Sequence, residues 1–340
     1  MAQTDRRITA ADVARSLGIS RATVGFVLNN TPGQTISPST RTRVQAEAQR
    51  LGYRPHSAAR ALASGRSHLI LLVLPDWPID FNLRRNIEEA SLALDEAGYS
   101  LITYTPHPTG QSRPLWETLQ PDVVMAMTQF SEEQVTSIRA SGISRLIPDP
   151  DSTYPGYTES GPGLQVQHLH GLGHRRIAYA GSSDPRIADL VALRRFHAEA
   201  TADSLGISPL VTADLDFRLA ELPDVIRGWL GEGVTAVAAY NDDIAAAVVG
   251  AALRLGIRVP EELSVIGHDD APIASMFEPQ LSTVRVDIIG LGRYFAELAI
   301  SAVDGTPMPP PGPEAAVELV KRASSAPNAI QLPPHTINAY

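Results

Sequence analysis

Apolar side chains recur at helical spacing twice within residues 8–30, ITAADVARSLGISRATVGFVLNN. Ala10, Val13, Ala14 and Leu17 fall on one face of a first short helix. Gly18 ends it, as a residue free to take positive φ does just past a helix end. Ser20 stands where an N-cap belongs, and Val24, Val27 and Leu28 form the apolar stripe of a second helix. A third helix is expected from Pro38 to Leu51, with Ser37 as N-cap, Pro38 at its first position and Gly52 closing it. RPHSAARALASGRS follows, helix-prone from Ser57 to Ala63 but without a wide apolar face, and too short to hold a helix alone in water. Two short helices joined by a tight turn form the pattern of a DNA-binding helix-turn-helix, whose second helix lies in the major groove. A plain helical hairpin is the alternative that the apolar positions alone leave open.

From residue 68 onward the period changes. HLILLVLP (68–75) is a continuous apolar run, suited to a parallel strand buried on both faces. An amphipathic helix to about Ala97 follows, then Gly98 and a strand, YSLITYT. PDVVMAM, SRLIPD, RRIAYAG, AVAAY and LSVIGH repeat the strand signature, with helices between most of them. Such alternation predicts doubly wound α/β units, whose ligands bind outside the carboxyl ends of the strands.

Length and charge sharpen this reading. A chain of 340 residues exceeds one core, so two or three compact units are expected. The net charge of −9 hides a split: residues 1–67 hold ten arginines against three acids, a net of +7, leaving −16 on the remainder. A small basic head on an acidic body is the electrostatic footprint of a modular DNA-binding protein. With no cysteine there is no disulfide framework, thiolate zinc site or cysteine nucleophile. MAQTDRRITA has no apolar signal region and no run approaches a membrane span, so a cytoplasmic protein without a membrane partner is expected.

Catalytic readings find little support. His268-Asp269-Asp270 and the trio His168, His170 and His174 are the local clusters that raise a metal site. Neither shows helix-face ligation at i, i+4 with a matching third ligand. The glycines of GHRRIAYAG and GLGRY form no GxGxxG after a strand. The expectation is no enzyme, no cofactor and no metal.

The order ITxADVARxxGxSxATVxxVLNN, SxxTRxxVxxxAxxLGYRP and AxRxLxSGRS resembles the lactose-repressor/galactose-repressor (LacI/GalR-type) family of bacterial transcriptional regulators. HLHGLGHRRIAYAG at 168–181, YNDDIAAAVVGAALRLGIRVPEELSVIGHDDAP at 240–272 and LSTVRVDIIGLGRYFAELAI at 281–300 extend the resemblance over most of the chain. It implies a multidomain protein, with an all-α helix-turn-helix DNA-binding head at 1–55 and a hinge helix with linker at 56–67. The rest, 68–340, is implied to be an α/β effector-binding and dimerisation body of the periplasmic-binding-protein-like (type I) form. Its two doubly wound parallel-sheet subdomains take about 68–148 with 284–312, and about 149–283 with 313–340. Crossing strands are expected near Pro148–Pro150, near Leu281–Val286 and in the Pro-rich stretch 306–313, with a small-molecule effector in the cleft between.

Site residues follow by position. Arg21 and Ala22 are implied to supply base contacts, Arg21 either by pairing with guanine O6 and N7 or by holding a phosphate. Thr9, Ser20, Thr23 and Asn29 have the chemistry to hold phosphates. Gly25-Phe26 replaces the family's usual Ser-Arg, which removes a base-contacting arginine and leaves Phe26 to meet a thymine methyl. Leu62 stands at the hinge wedge, expected to open a central CG step in the minor groove or to pack against its dimer mate. Tyr53, Pro55, Ala59 and Arg60 match the hinge pattern, and His56 stands where asparagine is usual.

For the effector, Asp242 aligns with an acid that commonly holds ligand hydroxyls; a helix N-cap or first-turn acid is its other reading. Trp77 and Asp80 occupy the loop that normally lines the cleft, and Asp149 and Phe217 are further candidates. The family's cleft arginine is replaced at Ala192, with Arg186 or Arg194 as substitutes. The loop LPDWPIDF is shorter than usual and has lost its asparagine and paired phenylalanines. The tail QLPPHTINAY lacks heptads, so a homodimer is expected rather than a helical tetramer. The implied function is a regulator, foremost a repressor, binding a pseudopalindromic operator on double-stranded DNA under control of a sugar or related metabolite. A small-molecule-binding module with weakened DNA recognition, or a regulator without an effector, are the alternatives.

Overall fold

Three short helices begin the chain: α1 (Ala10–Leu17), α2 (Arg21–Leu28) and α3 (Pro38–Arg50). Each starts on a side-chain cap. Thr9 and Asp12 form a reciprocal capping box on α1, Ser20 Oγ accepts from Thr23 N at 3.0 Å on α2, and Ser37 accepts from Thr40 N on α3. Gly18 closes α1 with φ of 64°, which a side chain would resist, and so fixes the tight turn into α2. Val13, Ala14, Val24, Val27, Val44 and Ala48 interlock from all three helices, and Ser16 meets Glu47 across α1 and α3. Each buried valine contributes about 1.5–3 kcal/mol, so this small unit rests on few side chains.

The computed structural model describes residues 8–28, 33–53, 66–107, 110, 112–151, 160–207, 209–216, 221–310 and 317–328. Two four-stranded parallel sheets organise everything after the head. The first runs β2-β1-β3-β4, built from β1 (Leu69–Val73), β2 (Ser100–Tyr104), β3 (Val123–Ala126) and β4 (Leu146–Ile147). The second runs β6-β5-β7-β8, built from β5 (Ile177–Ser182), β6 (Val211–Leu215), β7 (Ala236–Ala239) and β8 (Ser264–Ile266). Ile70 on β1 registers with Leu101 and Val123, and Ala178 on β5 with Val211 and Val237. Strands β3 and β7 are buried at every residue, which explains why they read as unbroken apolar runs.

Helices cover both sheets. In the first unit they are α4 (Phe81–Glu96), α5 (Leu115–Leu119) and α6 (Glu132–Ala140); in the second α7 (Ser160–Gly171), α8 (Ala188–Ser204), α9 (Leu222–Gly231), α10 (Asp242–Arg254) and α11 (Pro272–Met276). The chain then runs along β9 (Thr283–Val286) into α12 (Ile288–Asp304), which packs on α4 of the first unit. It returns through β10 (Val317–Val320), antiparallel to β9, so this two-stranded ribbon joins the units. Gly292 makes the α4–α12 contact close: a Cβ there would lie 2.7 Å from the Asn86 carbonyl oxygen and 2.8 Å from Glu89 Cβ.

Candidate nucleic-acid interface and ligand cleft

Capping decides which side chains the head leaves free. The Ser20 hydroxyl is held by Thr23 N and lies 2.8 Å from Thr23 Oγ1, while the Thr9 hydroxyl donates to Asp12 Oδ2 at 2.7 Å. Arg21 and Ala22 are exposed on the leading turn of α2, and among the described residues Arg21 has no intramolecular partner. Phe26 is half-buried, and Tyr53 packs against the head's core. Asn29, His56, Ala59, Arg60 and Leu62 lie outside the described residues. A Cβ at Gly25 would meet nothing within 4 Å, so no packing demand explains this glycine inside α2. Gly25→Ala is therefore expected to stabilise the folded protein by up to about 1 kcal/mol, read as a raised urea midpoint for the head's unfolding.

A second feature lies where the carboxyl ends of the two sheets face each other, the position that open α/β units favour for ligands. A cleft of about 920 Å³, counting its open mouth, is lined from the first unit by Trp77, Asp80, Asn82, Leu83, Asn86 and Met127. From the second unit come Gly161, Leu190, Arg194, Tyr240, His268 and Asp269, with Val286, Ile288, Leu291 and Val317 closing the ribbon side. Arg194 forks onto Asp269 with N–O distances of 3.2 and 3.1 Å, donates to the Tyr240 carbonyl at 2.7 Å, and lies 4.7 Å over the Tyr240 ring. The pair is well buried, its side chains 15% and 11% exposed. Burial alone would raise the pKa of Asp269. The Arg194 guanidinium and the His268 imidazole, whose Nδ1 lies 2.7 Å from Asp269 Oδ1, outweigh it and hold the carboxyl below the usual range.

The turn His268–Asp270 aims two adjacent carboxylates in opposite directions. Asp269 and Asp270 both take positive φ, 97° and 48°, a conformation aspartate tolerates better than most residues. Asp269 thereby enters the cleft wall, while Asp270 accepts from Arg285 at 2.7 Å and Arg322 at 2.6 Å on the ribbon side. Gly161 gives the imidazole its space, since a Cβ there would collide with His268 Nε2. Asn82 reaches across the cleft to donate to the Asp269 carbonyl at 3.3 Å.

Comparison with known proteins fixes the family. A model described as "Bacterial regulatory proteins, lacI family" matches residues 9–56, and one for a "Periplasmic binding protein-like domain" matches residues 166–325. The HTH-type transcriptional regulator GalS of Salmonella typhimurium is 35% identical over 314 residues, covering 88% of this chain and 91% of its own. The chain belongs to the LacI family. GalR of Escherichia coli is 31% identical over 317 residues, again with 88% and 91% covered. In fold, the chain is similar to the Lac repressor dimer bound to operator and the anti-inducer ONPF. That likeness has a TM-score of 0.75 at 22% identity and covers 94% of this chain and all of that one. This LacI-family protein is therefore a transcriptional regulator with a DNA-binding head and not an enzyme.

Within the regulator, the candidate effector residues separate. Trp77, Asp80 and Arg194 line the cleft, so of the two substitute arginines it is Arg194 that reaches it. Arg186 instead closes on Asp184 in an exposed turn after β5, and Asp149 accepts from Asp151 N at 3.0 Å in an exposed loop. Phe217 lies outside the described residues. Asp242 is spent on structure: Oδ1 accepts from Thr283 Oγ1 at 2.6 Å and Oδ2 from Ala271 N at 2.7 Å, which ties α10 to β9. His168 and His174 hold the carboxy-terminal stretch, at Ser325 Oγ and the Ala326 carbonyl. Asn82, Asn86, Tyr240, His268 and Asp269 join the cleft wall without having been singled out as its ligands.

Asp242 carries a pH signature. Burial, the largest cause, pushes its pKa from 3.8 up to about 8; the Thr283 bond opposes this and the charge of Asp269 adds to it. A carboxyl whose folded pKa is raised contributes fully to stability below its unfolded pKa and loses that contribution as pH climbs through the folded one. Asp242→Asn keeps the accepted Ala271 bond and cannot ionise. The stability difference between variant and wild type is thus expected to swing toward the variant from about pH 4 to about pH 8. Urea midpoints across this window check it, and a difference that does not change with pH would contradict it.

Proposed function

We propose that this regulator is a homodimeric repressor that binds a pseudopalindromic operator and is released from it by a small molecule in the cleft. The observation that carries the reading is the capped start of α2, where Arg21 and Ala22 stand exposed and Arg21 is unpaired among the described residues. That is the end of a recognition helix that meets base edges in the major groove. Two-fold symmetry of the protein demands two half-sites. The hinge, residues 56–67, then orders on operator DNA, with Leu62 as its wedge into a central step. Such a protein acts where the chromosome is, in the cytoplasm.

Coupling from cleft to head runs through a pinned linker. Arg66 pairs with Asp304 at 3.0 Å and donates to the Val303 carbonyl, at the end of α12. Ser67 N and His68 N both donate to the Asp122 carboxylate at 2.8 Å. The chain leaving the hinge is thus fixed to the first unit, and any rotation of that unit about the ribbon moves the hinge with it. Ligand contacts that bridge Trp77 and Asn86 of the first unit to Leu190 and Tyr240 of the second drive such a rotation. Couplings of this kind are worth about 1–3 kcal/mol, or 5–150-fold in affinity.

Fluorescence anisotropy tests the reading: full-length protein is titrated onto a duplex carrying the selected operator and onto a scrambled one, with and without cleft ligand. Tight operator binding that ligand weakens is expected. Equal binding to both duplexes would refute the regulator's operator reading, and ligand-tightened binding would reverse the sense of control. The resemblance implies a sugar as effector, and the free polar groups of the wall decide whether this cleft suits one.

A further inference from the structure

On the second unit's side the charged groups of the cleft wall are spent on one another. Arg194 is consumed by Asp269 and the Tyr240 carbonyl, and Asp269 is shared with His268. Asp80 remains at the exposed rim, with Oδ1 capping α4 through Leu83 N. The wall therefore offers a negatively charged ligand no open cation among the described lining residues.

Apart from the Asp80 carboxylate at the rim, the wall holds unpaired carboxamide. Asn86 is only 3% exposed, lines the cleft, and has no hydrogen-bond partner at either Oδ1 or Nδ2. Asn82, one turn earlier on the same face of α4, spends Nδ2 on Asp269 and leaves Oδ1 without a partner. Around these amides the wall is apolar, with Trp77, Leu83, Met127, Leu190, Tyr240 and Leu291. A buried polar group that is left unpaired weakens the fold that keeps it, so a native structure keeps one for a reason.

A carboxamide with both ends open is complementary to a donor and an acceptor held side by side, as at the edge of a lactam, a primary carboxamide or an amino-azine ring. We propose that the ligand of this cleft is a neutral, largely apolar molecule presenting one such amide-like edge to Asn86, rather than a free sugar. The inference rests on the cleft being the effector site. A hexose carries a hydroxyl on nearly every carbon, and several would be buried against Leu83, Met127, Leu190 and Leu291 without partners, which costs affinity. The apolar body of the proposed ligand instead fills that wall, and its amide-like edge pairs the groups that are now open.

Thermal melting of the full-length protein tests this with two sets of probes: nicotinamide, 2-pyridone and adenine for the amide-like edge, and galactose, glucose, ribose and cellobiose for sugars. At least one probe of the first set is expected to raise Tm, and the sugars are expected to leave it unchanged. Asn86→Leu should abolish that shift while raising the Tm of the ligand-free protein by roughly 2–4 °C, because two unpaired buried polar atoms give way to an apolar side chain of similar size. A merely structural role for Asn86 would not couple these two changes, and Asn86→Ala reports the same loss of response should leucine not be accommodated. A sugar shift that survives in Asn86→Leu overturns the inference and leaves the cleft as an effector site. Silence of both sets also overturns it, and operator anisotropy on the same sample then shows separately whether the regulator reading stands.

Discussion

Arg194→Met is expected to cost about 3–5 kcal/mol of folding free energy. The guanidinium is what makes burial of Asp269 tolerable, through two bonds at 3.1–3.2 Å. Removing one partner of a buried pair strands the other charge, and that stranding, more than the lost attraction, sets the magnitude. Asp269 must then either stay charged beside His268 alone or take up a proton. In the wild type its depressed pKa contributes stability that is present above the ordinary carboxylate pKa and lost as pH falls through the folded value. In Arg194→Met that contribution should shrink or reverse, so the stability gap to wild type narrows toward acid. The double variant Arg194→Met/Asp269→Asn removes the stranded charge, and asparagine also tolerates the positive φ at 269. Urea unfolding should find it well above the single variant. A single-variant loss below about 1 kcal/mol would show that the pair is not the organising contact of this wall.

Arg21→Ala should separate base reading from phosphate holding. A bidentate arginine–guanine contact is worth about 1–3 kcal/mol of discrimination. Operator affinity is therefore expected to fall about 5–150-fold, while binding to unrelated duplex falls far less and one operator position loses its preference. Anisotropy titrations on the operator, its single-base variants and random duplex make this visible. A uniform drop across all sequences, with a shallower salt dependence, would assign Arg21 to phosphate instead. The exposed first turn of α2, held by the Ser20 cap, favours the base reading because the side chain leads the helix.

The head was legible in the sequence because its determinants are local. Gly18, Ser20 and Ser37 each signal a helix boundary within three residues, and each does so in the structure. The unbroken apolar runs of β1, β3, β5, β7 and β8 were equally plain, since strands buried on both faces have no polar side to disguise them. Strands β6 and β10 were not singled out. Val211–Leu215 alternates in burial at a sheet edge, and Val317–Val320 carries Glu318 in a two-stranded ribbon, so neither shows a continuous run.

The cleft was harder to read because direction is not a local property. Nothing in the sequence says that Arg194 turns into the wall while Arg186 folds back on Asp184, or that both oxygens of Asp242 are taken by Thr283 and Ala271. One signal was present. The apolar stripe of α4 runs Leu83, Ile87, Ala90 and Leu94, and Asn86 sits within it as a buried polar residue. An amide on a core-facing stripe is out of place for packing, and in this chain it belongs to the lining of the cleft.

Selection of bound sites from random duplex DNA by the full-length protein decides whether the head reads a symmetric operator. Enrichment of a pseudopalindrome, two half-sites about a central CG step, is what a symmetric regulator reading with Arg21 and wedging with its hinge must give. No enriched motif at moderate salt, or a single asymmetric half-site, would contradict it.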